Sequence, residues 1–398
     1  MSSLFNRFER ARGGLRLGVE NLESASRLFE GRRVGLLTTA AATDSRLVSA
    51  VDVLAAFCDL RALYGPEHGI RGDLQAGEAA ASAVDRRTGL PIHSLYTSDA
   101  SARGPELDGL DLLVVDLVDV GSRYYTYLST LSYAMESCAA ASMPLVVLDR
   151  PNPLGGLAVE GPMLDPAYAS FVGRHGVPVR HGLTVAEYAL LINARARIGC
   201  ELHVIPLVGW NRESWYDELP LCWVMPSPNL PTLESALLYA GTCLFEGTNV
   251  SEGRGTTRPF ELIGAPWLDP QALIPEVAPG LLDGALLREC WFRPVASKHA
   301  GQACAGVQIH VTDRSRLRPY RLGVALLDAI RRTHEEFSFT EPAGPGRHPF
   351  IDLLAGDSSL RDPGFDLEAY LSRCDADSAG FTVVRDDYLI YPTSGTAR

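Results

Sequence analysis

A chain of 398 residues with 46% hydrophobic content can bury a large core, and 21% charged residues is an ordinary globular value that excludes disorder. The net charge of −12, with no compensating basic run, argues against nucleic-acid and anionic-membrane partners, because both require a concentrated positive field. No stretch reaches the roughly 18 apolar residues that span a bilayer, and the arginine-dotted N-terminus lacks the apolar run of a signal peptide, so a cytoplasmic location is expected.

The first elements are short apolar runs separated by helical patterns. Val34 to Thr38, Leu60 to Tyr64, Leu112 to Leu117 and Leu145 to Leu148 are leucine-rich or β-branched and bounded by turn residues, the appearance of buried parallel strands. Arg46 to Cys58 and Leu128 to Ala141 read as the helices between them. Leu183 to Arg197 opens with Thr184 three residues before Glu187, the spacing of a capping box, and Leu202 to Val208 follows as another strand. Beyond Pro266-Trp267-Leu268-Asp269-Pro270 the pattern changes, with a strand at Gly306 to Thr312 and a helix at Gly323 to His334. These elements predict an α/β fold: a Rossmann-like, doubly wound, mostly parallel sheet over residues 1–269, and a smaller C-terminal α+β domain over 270–398 that completes a substrate cleft.

The fold class invites a nucleotide cofactor, yet the first strand-to-helix turn, Thr38-Thr39-Ala40-Ala41-Ala42-Thr43-Asp44, has no glycine with which to cradle a pyrophosphate. The Gly-rich loop near residue 250 lacks the Gly-Lys-Ser/Thr ending of a P-loop, and there is no G-x-S-x-G elbow. The eight cysteines, at 58, 138, 200, 222, 243, 290, 304 and 374, contain no C-x-x-C pair and read as small buried hydrophobes. Neither a cofactor nor a metal is expected. A metal hydrolase built on His68, Asp116 and Asp119 is the alternative with fewer supporting patterns, since no H-x-H or H-E-x-x-H is present.

Loops leaving the carboxyl ends of parallel strands gather on one edge, and here they carry carboxylates and arginines. Glu67, at the end of a strand in Pro66-Glu67-His68-Gly69, is the sharpest candidate for acid/base chemistry, with His68 and Arg71 beside it. Glu160 is a candidate second carboxylate, in competition with Glu246 and Glu252. Asp116, Arg123, Tyr124, Arg150 and Asn152 sit on the neighbouring loops. Asn229, Asn249, Arg254 and Arg258 complete the expected substrate contacts, the arginines being planar forks suited to a carboxylate. Each of these groups also has a plain structural reading as a cap, an ion pair or wall packing.

Several long motifs occur in one order: Gly18-Val19-Glu20, Tyr64-Gly65-Pro66-Glu67-His68-Gly69, Asp116 to Tyr127, Asp149-Arg150-Pro151-Asn152-Pro153, Val159-Glu160-Gly161-Pro162, Pro226-Ser227-Pro228-Asn229-Leu230-Pro231 and Phe245 to Thr256. In these the chain resembles the exo-β-N-acetylmuramidase family, glycoside hydrolase family 171, over nearly its whole length. The resemblance implies release of N-acetylmuramic acid from the non-reducing end of peptidoglycan fragments, with Glu67 as the catalytic glutamate. Where members carry Thr-Asn after the first strand, this chain has Thr38-Thr39. Muramic acid bears a lactyl carboxylate, and in a protein of net negative charge its recognition calls for a local arginine, such as Arg71, Arg150, Arg254 or Arg258. The alternative reading is a catalytically silent peptidoglycan-sugar-binding protein, which would keep the arginines and aromatics.

Overall fold

The computed structural model describes residues 14–67, 69–70, 83–96 and 104–393. Seven strands, β1 (Arg33–Thr38), β2 (Asp59–Gly65), β3 (Ala83–Val84), β4 (Pro91–Ser94), β5 (Leu112–Asp116), β6 (Leu145–Leu148) and β7 (Leu202–Ile205), form one sheet in the order β3-β4-β2-β1-β5-β6-β7. Every pairing is parallel except the edge pair β3–β4. Leaving that edge strand aside, the order is that of a Rossmann sheet, with the chain reversing direction across the sheet between β1 and β5. β5 and β6 are buried at every residue, which is why both read as unbroken apolar runs.

Helices α1 (Ala50–Phe57), α2 (Tyr127–Ala140) and α3 (Val185–Arg195) connect these strands. The first begins four residues later than its pattern suggests, because Asp44 accepts hydrogen bonds from the amides of Arg46 and Val48 and holds them in a turn. Ser49 then caps the helix by accepting from Val51 N. The capping box of α3 forms in both directions: Thr184 Oγ1 accepts from Glu187 N at 3.2 Å and Glu187 Oε2 from Thr184 N at 3.0 Å.

The second lobe contains α4 (Leu233–Thr242), β8 (Leu262–Ala265), the single turn α5 (Pro270–Leu273), β9 (Ala285–Phe292), β10 (Cys304–Val311), α6 (Pro319–Thr333), α7 (Phe350–Ala355) and α8 (Leu367–Arg385). Its antiparallel sheet runs β8-β10-β9, so a strand ahead of residue 270 belongs to it. Helices α4 and α6 meet at two glycines. A Cβ on Gly323 would stand 2.4 Å from Gly241 O, and one on Gly241 would stand 1.8 Å from Pro319 O, so only glycine permits this approach. Leu131 and Leu191 of the first lobe and Ile263, Val307 and Leu326 of the second fall in one buried cluster, and that continuity fixes the two lobes against each other. Among the cysteines, Cys222 departs from the expectation by being exposed, and Cys58 by being only partly buried.

Candidate active site

At the carboxyl ends of β1 and β5, where a Rossmann protein would hold a nucleotide, this chain has an ion pair. Arg150, arriving after β6, donates through Nε and Nη2 to the two oxygens of Asp116 and through Nη1 to Thr43 O at 2.9 Å. Both side chains are buried. Asp119 turns its Oδ2 to the amide of Gly121 at 2.7 Å, and Asn152 bridges Leu154 N and Leu183 O. Asp116 is therefore committed through both oxygens, and Asp119 through Oδ2. Among the described residues no group of three or more His, Cys, Asp or Glu side chains is arranged to hold a metal ion.

The open space lies beside that point, between the loops after β2 and β5 and the second lobe. It is a cavity of about 590 Å³. Pro66 ends β2 because it has no amide to continue the ladder, and Gly69 N donates to Pro66 O at 2.8 Å, with Gly69 at φ +68° closing the turn. That turn sets Glu67 in the cavity wall, where Thr126 Oγ1 donates to its Oε2 at 2.6 Å. Thr126 stands immediately before α2, so the orientation of the carboxyl is tied to a helix rather than to a loop alone.

Aromatic faces make up much of the remaining wall, including Tyr96, Tyr124, Tyr125, Phe171, Tyr239 and Phe260. Tyr124 and Tyr125 donate their hydroxyls to the carbonyls of Ala240 and Pro226, which leaves their rings as surfaces. Burial pushes both phenols well above their ordinary range. Glu246 lies in the same wall and is ion-paired to Arg254 at 2.8 Å. Arg254 also approaches Glu252 at 3.4 Å, and Glu252 holds Lys298 at 2.8 Å. Burial opposes the charge on Arg254, but these two carboxylates outweigh it and hold the guanidinium above its usual range. The four charges cancel among themselves, Lys298 reaching in from the connection between β9 and β10.

The structure separates the other expected site residues from the cavity. Glu160 is buried under α6, its Oε1 accepting the amide of Arg321 at 2.9 Å, and it bridges to Arg180 in the backbone. Burial pushes its carboxyl up to about 7, against the hydrogen bond from Arg321 and the charge of Arg180. It lines no part of the cavity and shares no wall with Glu67. Arg123 is a buried strut whose guanidinium donates to the carbonyls of Pro162, Val177, Leu354 and Ala355 at 2.8 to 2.9 Å. Asn249 ties its loop to Glu336 O and Ser338 N, and half-exposed Arg258 pairs with Glu261 at 3.2 Å. Asn229 and Glu252 border an adjoining groove that shares Glu246 and Arg254 with the cavity. His68 and Arg71 lie outside the described residues.

Sequence reading overlooked the loop from Glu341 to His348, which brings Glu341, Arg347 and His348 to the cavity. It carries Gly344, Pro345 and Gly346 beside a carboxylate and an arginine, the same composition that marked the loop after β2. No predicted strand precedes it, so it drew no attention.

A glutamate held at the carboxyl edge of a parallel sheet, among aromatic faces and charged side chains, is the equipment of a glycoside hydrolase. Residues 34–234 match the N-terminal domain of the exo-β-N-acetylmuramidase NamZ family and residues 237–391 its C-terminal domain. The chain is 41% identical over 369 residues to the peptidoglycan β-N-acetylmuramidase NamZ of Bacillus subtilis (strain 168), covering 91% of this chain and 88% of that one. Crystal structures of two DUF1343 family proteins from Bacteroides fragilis NCTC 9343 align with TM-scores of 0.84 and 0.74, at 32% and 29% identity, each over 96% of this chain and 99% of the other. The chain belongs to the exo-β-N-acetylmuramidase NamZ family.

Proposed function

We propose that this protein removes N-acetylmuramic acid from the non-reducing end of peptidoglycan fragments, with Glu67 as its acid/base carboxyl. The observation that carries the reading is the seat of Glu67 in the cavity, oriented by Thr126 at 2.6 Å, in a chain 41% identical to a relative named for that activity. A protonated Glu67 donates to the glycosidic oxygen as the bond to the leaving sugar breaks, and an ionised partner stabilises the positive charge developing at the anomeric carbon or activates water. Glu246 takes the partner role in place of Glu160, because it shares the cavity wall with Glu67. The tyrosine and phenylalanine faces suit the apolar face of a pyranose ring.

Glu67→Gln keeps the shape of the side chain and removes its proton. It is expected to lower kcat on a chromogenic β-N-acetylmuraminide by about 100- to 10,000-fold, with an unchanged thermal unfolding midpoint. Near-normal turnover in the folded variant would remove Glu67 from the role. Sugar binding without any hydrolysis by the unsubstituted protein would favour the silent binding protein instead.

A further inference from the structure

Among the described residues, the arginines that the sequence offered for an anionic ligand are spoken for; Arg71 lies outside them. Arg150 is paired with Asp116, Arg254 with Glu246 and Glu252, and Arg258 with Glu261 outside the cavity. Arg123 spends both terminal nitrogens on four backbone carbonyls. Using Arg123, Arg150 or Arg254 to bind a ligand carboxylate would mean breaking an existing buried contact, which forfeits much of what the new one supplies, and half-exposed Arg258 lines no part of the cavity. The wall also presents the carboxylate of Glu341, so an anionic substrate entering it meets repulsion unless a cation answers.

Among the described residues of the cavity wall, Arg347 is the arginine whose guanidinium has no hydrogen bond and no ion pair within the protein. It is exposed, so holding it ready costs no desolvation before a ligand arrives. Its loop is nevertheless placed. The ring of the next residue, His348, lies 4.4 Å from that of Tyr168, and Pro349 leads directly into α7, whose Phe350 and Leu353 face the same cavity. The far end of α7 is in turn gripped by Arg123 through the carbonyls of Leu354 and Ala355.

We infer that Arg347 is the specificity-determining residue for the lactyl carboxylate that distinguishes muramic acid from glucosamine, pairing with it through its planar fork. The assignment rests on the muramidase reading and adds to it the group that selects the sugar. It moves lactyl recognition from the Gly-rich loop after α4 to the loop before α7. Arg254 then serves to fix Glu246, and Arg258 serves to fix Glu261.

The test compares a chromogenic β-N-acetylmuraminide with its lactyl methyl ester, which has the same bulk and no charge. Arg347→Ala is expected to lower the acid-to-ester ratio of kcat/KM by about ten- to a hundred-fold, the loss of a charge-assisted fork. Arg347→Lys should recover only part of the ratio, because a point charge does not reproduce two parallel donors. An unchanged ratio, or equal losses on both substrates, would overturn the assignment. A second measurement separates this inference from the reading beneath it: calorimetric binding of N-acetylmuramic acid and of N-acetylglucosamine to Glu67→Gln, with and without Arg347→Ala. Selective loss of N-acetylmuramic acid binding on Arg347→Ala, together with an unsubstituted protein that hydrolyses neither glycoside, would sink the muramidase reading and leave Arg347 as the carboxylate reader. Loss of both sugars alike would mean that Arg347 only shapes its loop, and the inference would fail.

Discussion

The acid/base role proposed for Glu67 needs more than a carboxyl, since the group must be held at a fixed angle to the bond it protonates. Thr126 supplies that restraint through its 2.6 Å hydrogen bond. Thr126→Val keeps the branched shape and removes the donor, so kcat is expected to fall about ten-fold, the value of one hydrogen bond to a charged group, with KM nearly constant. Thr126→Ser keeps the hydroxyl and should retain most of the rate. A fall in kcat of the same size for both variants would mean that the hydrogen bond does not orient Glu67. Glu67 was legible in the sequence because its Pro-Glu-His-Gly turn follows an apolar strand. Thr126 was not marked as functional, because nothing local says that a threonine before a helix faces a glutamate 59 positions away.

Between elements, the contact that most shapes the cleft is the grip of Arg123 on α7. Two of its four acceptors, Leu354 O and Ala355 O, are carbonyls at the helix C-terminus, where a cation also meets the negative end of the helix dipole. Burial holds this guanidinium below its ordinary range, and no carboxylate pairs with it among the described residues. Its stability comes from hydrogen bonds. Arg123→Lys leaves at least one of the four carbonyls without a donor, and the unfolding free energy measured by chemical denaturation should drop by about 1–3 kcal/mol. A change under about 0.5 kcal/mol would show that water replaces the missing donors. From the sequence, Arg123 looked like a substrate contact. An arginine beside tyrosines in a strand-end loop carries the same signature whether it faces a ligand or the main chain of a second lobe.

For the whole molecule, two buried carboxyls give a pH signature. Asp149 is pushed up to about 7 by burial, against hydrogen bonds from Tyr391, Ala186 and Thr184. Glu160 reaches about 7 for the same leading reason. In the unfolded chain both groups release their protons near pH 4. Between about pH 4 and 7 the folded protein therefore holds protons that the unfolded chain has lost, and stability falls as pH rises through this window, levelling off above it. Glu160→Gln should reduce the slope by about one proton, or about 1.4 kcal/mol per pH unit, and leave the part contributed by Asp149. Unfolding curves that keep the full slope in Glu160→Gln would show that Glu160 is ionised in the fold throughout. Tyr391 joins Asp149 across 242 positions, so this titration also reports on the attachment of the chain's last described segment.

The sequence by itself determined the strands β1, β2, β5 and β6, the capped start of α3, the Rossmann-like class and the seat of Glu67, because apolar period, capping spacing and strand-end turns are short-range signals. It also carried the family, through long motifs in fixed order. Tertiary structure alone decided which charged residues face the cavity. Glu160, Arg123, Arg150 and Asp116 stand in motifs as prominent as that of Glu67, yet their partners lie between 34 and 232 positions away, in lobes whose packing no local pattern encodes. The same packing brought Arg347 to the site from a loop without a strand to announce it. The charge on a side chain is written in the sequence, but whether that charge is already neutralised depends on what the fold places against it.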